Sequence, residues 1–302
     1  MKHNLFSFAC IGFFLMGMLS GCGGQKATDL VNTRTFDTGD FERLRLDYDA
    51  DDIHVLESDN TKVILKEYMN EDKKSYYART SSQNGELLIT EGDRPRSSSF
   101  ESYIEIYIPQ DYTDSLSLHS TSGTINSEIV LNLSGDFSVD TTSGVVEVSN
   151  TKASNVKATS TNGSLSFENI DADEINIQTT NATTSMNQIN GANNYHSKGG
   201  KLTASGLSGS GSFNASGEGS IDISFVDVTS DISAYSKNGT LLVTLPSGLD
   251  FKFSATTKEG SIDTSFTDQL AITDNTAAGT VGASPEIAVK LETRNGDIKV
   301  SR

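Results

Sequence analysis

Thr121-Ser122-Gly123-Thr124-Ile125 returns as Thr142-Ser143-Gly144-Val145-Val146 and again as Thr161-Asn162-Gly163-Ser164-Leu165. Weaker copies stand at Thr180-Asn181-Ala182, Gly199-Gly200-Lys201-Leu202 and Glu218-Gly219-Ser220-Ile221. Clear ones follow at Lys237-Asn238-Gly239-Thr240-Leu241 and Lys258-Glu259-Gly260-Ser261-Ile262. The steps between the glycines (or Ala182) are 21, 19, 19, 18, 19, 20 and 21 residues. A fixed period in this range marks stacked repeats, each too small to bury a core alone.

Apolar residues keep the same period. Two residues after each glycine come Ile125, Val146, Leu165, Leu202, Ile221, Leu241 and Ile262, with Thr184 the polar exception. Two further on stand Val148, Phe167, Met186, Ala204, Ile223 and Val243. A second alternating pair follows: Phe137/Val139, Val156/Ala158, Ile175/Ile177, Phe213/Ala215, Ile232/Ala234 and Phe251/Phe253. Alternation of period two means half-buried strands. Between the pairs lies one corner plug, seen in Ile170, Ile189, Leu207 and Val226. The pattern predicts an all-β fold, a parallel β-solenoid (β-helix) of about ten turns with an irregular N-terminal cap. The residue before the glycine is often Asn, and Asn and Gly tolerate φ > 0, so a tight bend is expected there.

Residues 1–21 read as a signal: Lys2, an apolar run from Leu5 to Leu19 too short to span a bilayer, then Leu19-Ser20-Gly21-Cys22. This string resembles the bacterial lipobox, which implies cleavage before Cys22 and a diacylglyceryl group on its thiol. Several acyl chains at ~0.8 kcal/mol per buried CH₂ make a stable anchor. Cys10 lies inside the signal, so the mature chain has no thiol for a disulfide or a metal. Removing residues 1–21 takes away one Lys and moves the formal charge from −17 to −18. Such an acidic chain carries no footprint for nucleic acid or for attraction to anionic lipid. The absence of Trp argues against an aromatic sugar-stacking platform.

The remaining chain divides as follows: 22–32 a flexible tether, 33–118 a cap with irregular first turns, and 119–302 the regular solenoid with a mobile loop insert at 265–285. In the cap, Asp52-Ile53-His54-Val55 is an early copy of the repeat with Val63 and Leu65 as its second strand, and Asn84-Gly85-Glu86-Leu87-Leu88-Ile89 another. Residues 66–80 (Lys66, Tyr68, Lys73, Lys74, Tyr76, Tyr77, Arg79) and Arg94-Pro95-Arg96 form a basic and aromatic departure from the period. It is read either as a covering excursion or as a binding loop.

The chemistry of catalysis is sparse. His54, His119 and His196 fall in different turns and are expected to face solvent. Zinc spacings, a phosphate loop and the Asp-bearing nonapeptide of calcium β-rolls are missing. Glycosidase carboxylates lie about 5–9.5 Å apart. Asp171 and Asp227, three turns apart, would be about 14 Å apart, and Glu218 and Glu259, two turns apart, about 10 Å. The expectation is therefore no catalytic residues, no cofactor, no metal, and a single assigned site, lipid attachment at Cys22.

The lipobox, the strand ending Ile106-Tyr107-Ile108-Pro109 and the Thr-Ser-Gly-x-Ile units together resemble bacterial envelope proteins known as putative adhesins, a β-strand-repeat family of unknown function. The resemblance spans roughly 40–302 and implies a parallel β-solenoid displayed outside the cytoplasmic membrane, with no catalytic residues to carry over. The resulting expectation is a lipid-anchored, extracytoplasmic protein of the bacterial envelope. It would bind a surface protein or glycan of unknown identity, be held to the membrane through Cys22, and leave nucleic acid alone. The alternatives are an envelope scaffold or sensor accessory for its own cell wall or a membrane protein, and a polysaccharide-cleaving enzyme, the last lacking a carboxylate pair.

Overall fold

A computed structural model describes residues 28–302. The expected signal 1–21, Cys22 and the tether as far as residue 27 lie outside the described residues.

Strands Val145–Ser160, Ser164–Thr179, Thr183–Ser197, Leu202–Ala215 and Ile221–Ser236 each wrap once around the core and pair in parallel with the next. On the first wall, after each glycine, Val146, Leu165, Thr184, Leu202, Ile221 and Leu241 stand in register. A corner follows, then a short side, then a second wall on which Val156, Ile175, Asn193, Gly211 and Ile232 align. Like positions therefore stack turn on turn, as a parallel β-solenoid requires, and the inward columns merge into one continuous core.

The plug column runs Leu131, Thr151, Ile170, Ile189, Leu207, Phe225, all buried. Val226, expected as a plug, is instead 65% exposed. A register shift after Ala204 sets Phe225 opposite Leu207, and the larger ring fills the corner. A related slip affects Phe213. It aligns with Tyr195, Ile177 and Ala158, not with the Phe137 column. Gly211 occupies that column, where a Cβ would run into the Phe213 ring, so the absent side chain makes room for the neighbouring ring.

The bend also differs from expectation. The repeat glycines are not in the left-handed region. They are needed because turns approach closely: a Cβ on Gly163 would lie 2.0 Å from the Gly144 carbonyl, and one on Gly239 2.0 Å from that of Gly219. Positive φ occurs at the opposite corner, where Asn150, Asn169, Gln188 and Gly206 stack just before the plugs. Beneath most of these bends lies a buried hydroxyl, with Ala215 breaking the row under Gly219. Ser120, Thr141, Ser160, Ser197 and Ser236 accept the N–H of the glycine three residues on, at 3.0, 2.8, 3.1, 2.8 and 2.8 Å. Ser236 also donates to the carbonyl of Gly219, one turn away, at 2.7 Å.

At both ends the order of turns in space departs from the order in sequence. Strand Arg43–Tyr48 lies between Glu86–Thr90 and Ser115–Ser120, and Asp52–Ser58 lies between Ser102–Pro109 and Ile125–Ser127. At the far end, Ile287–Thr293 lies between Ile221–Ser236 and Phe251–Thr257, and Ile298–Ser301 between Leu241–Thr244 and Ile262–Thr264. Antiparallel strands then cover the outermost rungs of both walls at the N-terminal end and of the second wall at the far end. Val63 and Leu65 belong to one of them, Lys62–Met69, and are not a second solenoid strand. Asn84 and Gly85, both with positive φ, form the two-residue turn of a hairpin joining Arg79–Gln83 to Glu86–Thr90, so this stretch is no first-wall copy. Within 265–285, Leu270–Ile272 and Thr276–Val281 form an ordered antiparallel pair against Phe251–Thr257, not a mobile loop. Asp29–Asn32, expected in the tether, begin strand Asp29–Asp37.

Candidate functional site

Three places gather polar chemistry. The first lies at the bend of the first regular turn. His119 Nδ1 is 2.7 Å from Asp140 Oδ1, and His119 Nε2 is 3.3 Å from Thr121 Oγ1. Sequence separation hid this hydroxyl–imidazole–carboxylate set, because stacking alone brings Asp140 beside His119. Acyl transfer also requires free backbone donors for an oxyanion. Here the N–H groups of Thr121, Ser122, Gly123 and Thr124 are taken by Tyr48, Asp49, Ser120 and Asp52. The set is a hydrogen-bonded ladder element.

The carboxylate pairs weighed from sequence are likewise apart. Asp171 connects to Asp227 through Asn190 and Ser208, three rungs. Asp171 itself accepts from Lys152 at 2.9 Å and Asn190 at 2.7 Å, and these bonds hold its carboxyl below the usual range. Glu218 and Glu259 are separated by the bends of Asn238 and Asn295, because the last repeat inserts between them. That is three rungs, about 14 Å, which is further than sequence order implied.

The second place is a trough of about 490 Å³ on the outer second wall. Ser115, Ser117 and Ser138 form its floor. Arg43 and Arg45 stand one rung to one side, with Asn155 and Lys157 one rung to the other. Small floor residues between long basic ones create the depression. Ser138 donates to Ser117 at 2.9 Å and Asn155 to Asp136 at 2.8 Å, so hydroxyl and amide groups are fixed in register. His196 stands further along this wall, in line with Gln178 and Asn214.

The third place is the cap. The basic and aromatic stretch does not act as one loop. Tyr76 packs edge-on to Phe100 at 5.4 Å with Lys73 4.9 Å above its ring, Tyr77 bonds to Asp72, and Arg79 pairs with Asp93. Arg94 turns inward. Its guanidinium, 3% exposed, joins Asp51 to Glu67, and Glu67 in turn accepts from Asn32 at 2.6 Å and from the Ala78 N–H at 2.9 Å. Burial lowers the Arg94 pKa to about 10. Arg96 stays outside and pairs with Asp49 at 2.7 Å. On the outer first wall Tyr68 and Tyr103 stack at 4.5 Å, His54 meets the Tyr103 ring edge-on at 5.7 Å, and Lys66 lies 4.1 Å over Tyr107. The phenols of Tyr68 and Tyr107 both donate to Glu105, at 2.9 and 2.8 Å. Burial and this carboxylate push the Tyr68 hydroxyl well above its ordinary range.

The family profile of Toastrack DUF4097 matches residues 41–301, from just before the first solenoid strand to the last. The chain belongs to the Toastrack family. Comparison of this Toastrack chain with curated proteins finds no match. Among solved structures it is similar to a protein described as a putative adhesin from Bacteroides fragilis, at 15% identity, covering 92% of this chain and 100% of that one, TM-score 0.43. Two others, also described as putative adhesins, come from Parabacteroides distasonis (10% identity, 89% and 96% covered, TM-score 0.44) and Parabacteroides merdae (11%, 89% and 95%, TM-score 0.41).

Proposed function

We propose that this Toastrack protein is a lipid-anchored, non-catalytic binding protein of the bacterial envelope, adhesin-like, which presents its second wall to a macromolecular partner. The observation that carries this reading is the serine-floored trough, where hydroxyl, amide and guanidinium groups repeat on rigid rungs. A partner with repeating hydroxyl or carboxylate groups, a glycan chain above all, matches such spacing through many weak polar contacts. The lipobox at Cys22 supports display outside the cytoplasmic membrane.

The test is binding of the mature chain to arrayed glycans and to the organism's own wall polymers, with the double variant Arg45→Ala/Lys157→Ala as control. Both side chains face solvent, so folding is expected to be intact. Binding to a foreign glycan weakened tenfold or more by the variant supports the adhesin reading. Capture of the organism's own wall polymer alone makes the protein an envelope scaffold. Equal binding by variant and parent excludes the trough.

A further inference from the structure

Along most of the first wall the outward side chains are polar: Asn126, Glu147, Ser166, Ser185, Thr203 and Asp222 occupy one row. At the N-terminal end the character changes. Here Leu30 stands beside Tyr68, which is beside Tyr103, and in a second row Ile64, Tyr107 and Leu56 lie side by side. Leu30 is 50% exposed. Two carboxylates lie on this face: Asp52, in register beside Tyr103, accepts the Thr124 N–H, and Glu105 accepts from two tyrosines, which lowers the cost of withdrawing them from bulk water.

The chain enters the fold at this face. Strand Asp29–Asp37 begins here, with Leu30 in register beside Tyr68 and Tyr68 beside Tyr103. Six peptide steps separate Thr28 from Cys22, at most about 20 Å when fully extended. An acyl group on Cys22 would hold this face against the headgroup layer at high effective concentration. Tyrosine, with an apolar ring and a polar tip, suits that layer, and Lys66 and Lys62 can reach past it. The formal charge of −18 on the mature chain opposes an anionic surface, so the contact has to be interfacial insertion of the rings.

We propose that the tyrosine face of the cap (Leu30, Leu56, Ile64, Tyr68, Tyr103, Tyr107) seats on the lipid bilayer and orients the solenoid, leaving the second-wall trough turned away from the membrane. The proposal rests on acylation of Cys22. It is tested with the full lipidated chain in phosphatidylcholine vesicles containing brominated acyl chains. Single cysteines are introduced at Tyr107→Cys or Lys66→Cys, and at Ser81→Cys, which faces outward on the second wall at the same end of the stack, each carrying a polarity-sensitive fluorophore. The mature chain offers no competing free thiol once Cys22 is acylated. Blue-shifted, lipid-quenched emission at 66 or 107 and unquenched emission at 81 is the expected result. Vesicle-bound protein with all three labels unquenched, or quenched alike, overturns the seating and leaves the anchor in place. Retention of Cys22→Ala on vesicles as fully as the parent overturns the anchor and, with it, the proposal.

Discussion

Thr184 is fully buried between Leu165 and Leu202, and its hydroxyl finds no hydrogen-bond partner. An unmade hydrogen bond in the interior costs about 1–3 kcal/mol. Thr184→Val keeps the shape and removes the polar atom, so equilibrium unfolding in urea should show a gain of about 1–2 kcal/mol; a loss would mean the hydroxyl is satisfied. Gly239→Ala tests the opposite case. Its Cβ would enter the space of the Gly219 carbonyl, and overpacking of that kind costs about 1–3 kcal/mol. The same change at Gly39, which has no atom within 4 Å of a built Cβ, should be near neutral. The contrast separates close approach from backbone flexibility as the reason for the repeat glycine. Sequence pattern located that glycine and its period correctly and gave it the wrong cause. Which atom a glycine avoids belongs to the neighbouring turn, not to its own dipeptide.

At the scale of the element, the cap depends on one cation. Arg94 ties the bend at Asp51 to Glu67, and Glu67 in turn binds Asn32 of the first strand and the N–H of Ala78. Arg94→Ala leaves two carboxylates buried without their partner, which costs about 3–5 kcal/mol in comparable pairs. Hydrogen exchange should rise across Asp29–Asp37 and Lys62–Met69 before it rises in the regular turns; uniform protection would show that the cap does not depend on this node. Strand identity and facing were legible wherever alternation was unbroken, as at Ile104, Ile106 and Ile108. They were not legible where one residue was gained or lost, as between Ala204 and Leu207, because a slip moves every later side chain without changing composition. The candidate trough was invisible for a related reason. Arg45, Ser117, Ser138 and Lys157 are spread over more than a hundred residues and meet only through rung register. Similarly, the tyrosine face joins a strand from the predicted excursion to one that looked like ordinary repeat.

On the whole molecule, parallel pairing makes each turn the template for the next, while the antiparallel strands at both ends occupy hydrogen-bonding edges that would otherwise invite another chain. Removing residues 287–302 would part Ile221–Ser236 from Phe251–Thr257, because Ile287–Thr293 is the rung between them. The truncated chain should lose protease resistance from residue 245 onward and keep it through the turns before 221; resistance throughout would mean that the two flanking turns can close on each other directly.

That interposed rung also sets an order of events. A chain that enters its folding compartment N-terminus first can stack its early turns as they arrive. The segment 251–264 must wait, since its parallel partners, Ile287–Thr293 and Ile298–Ser301, come last in the chain. The last fifth of the chain, from about residue 245, thus stays unlocked until residues near 300 are available.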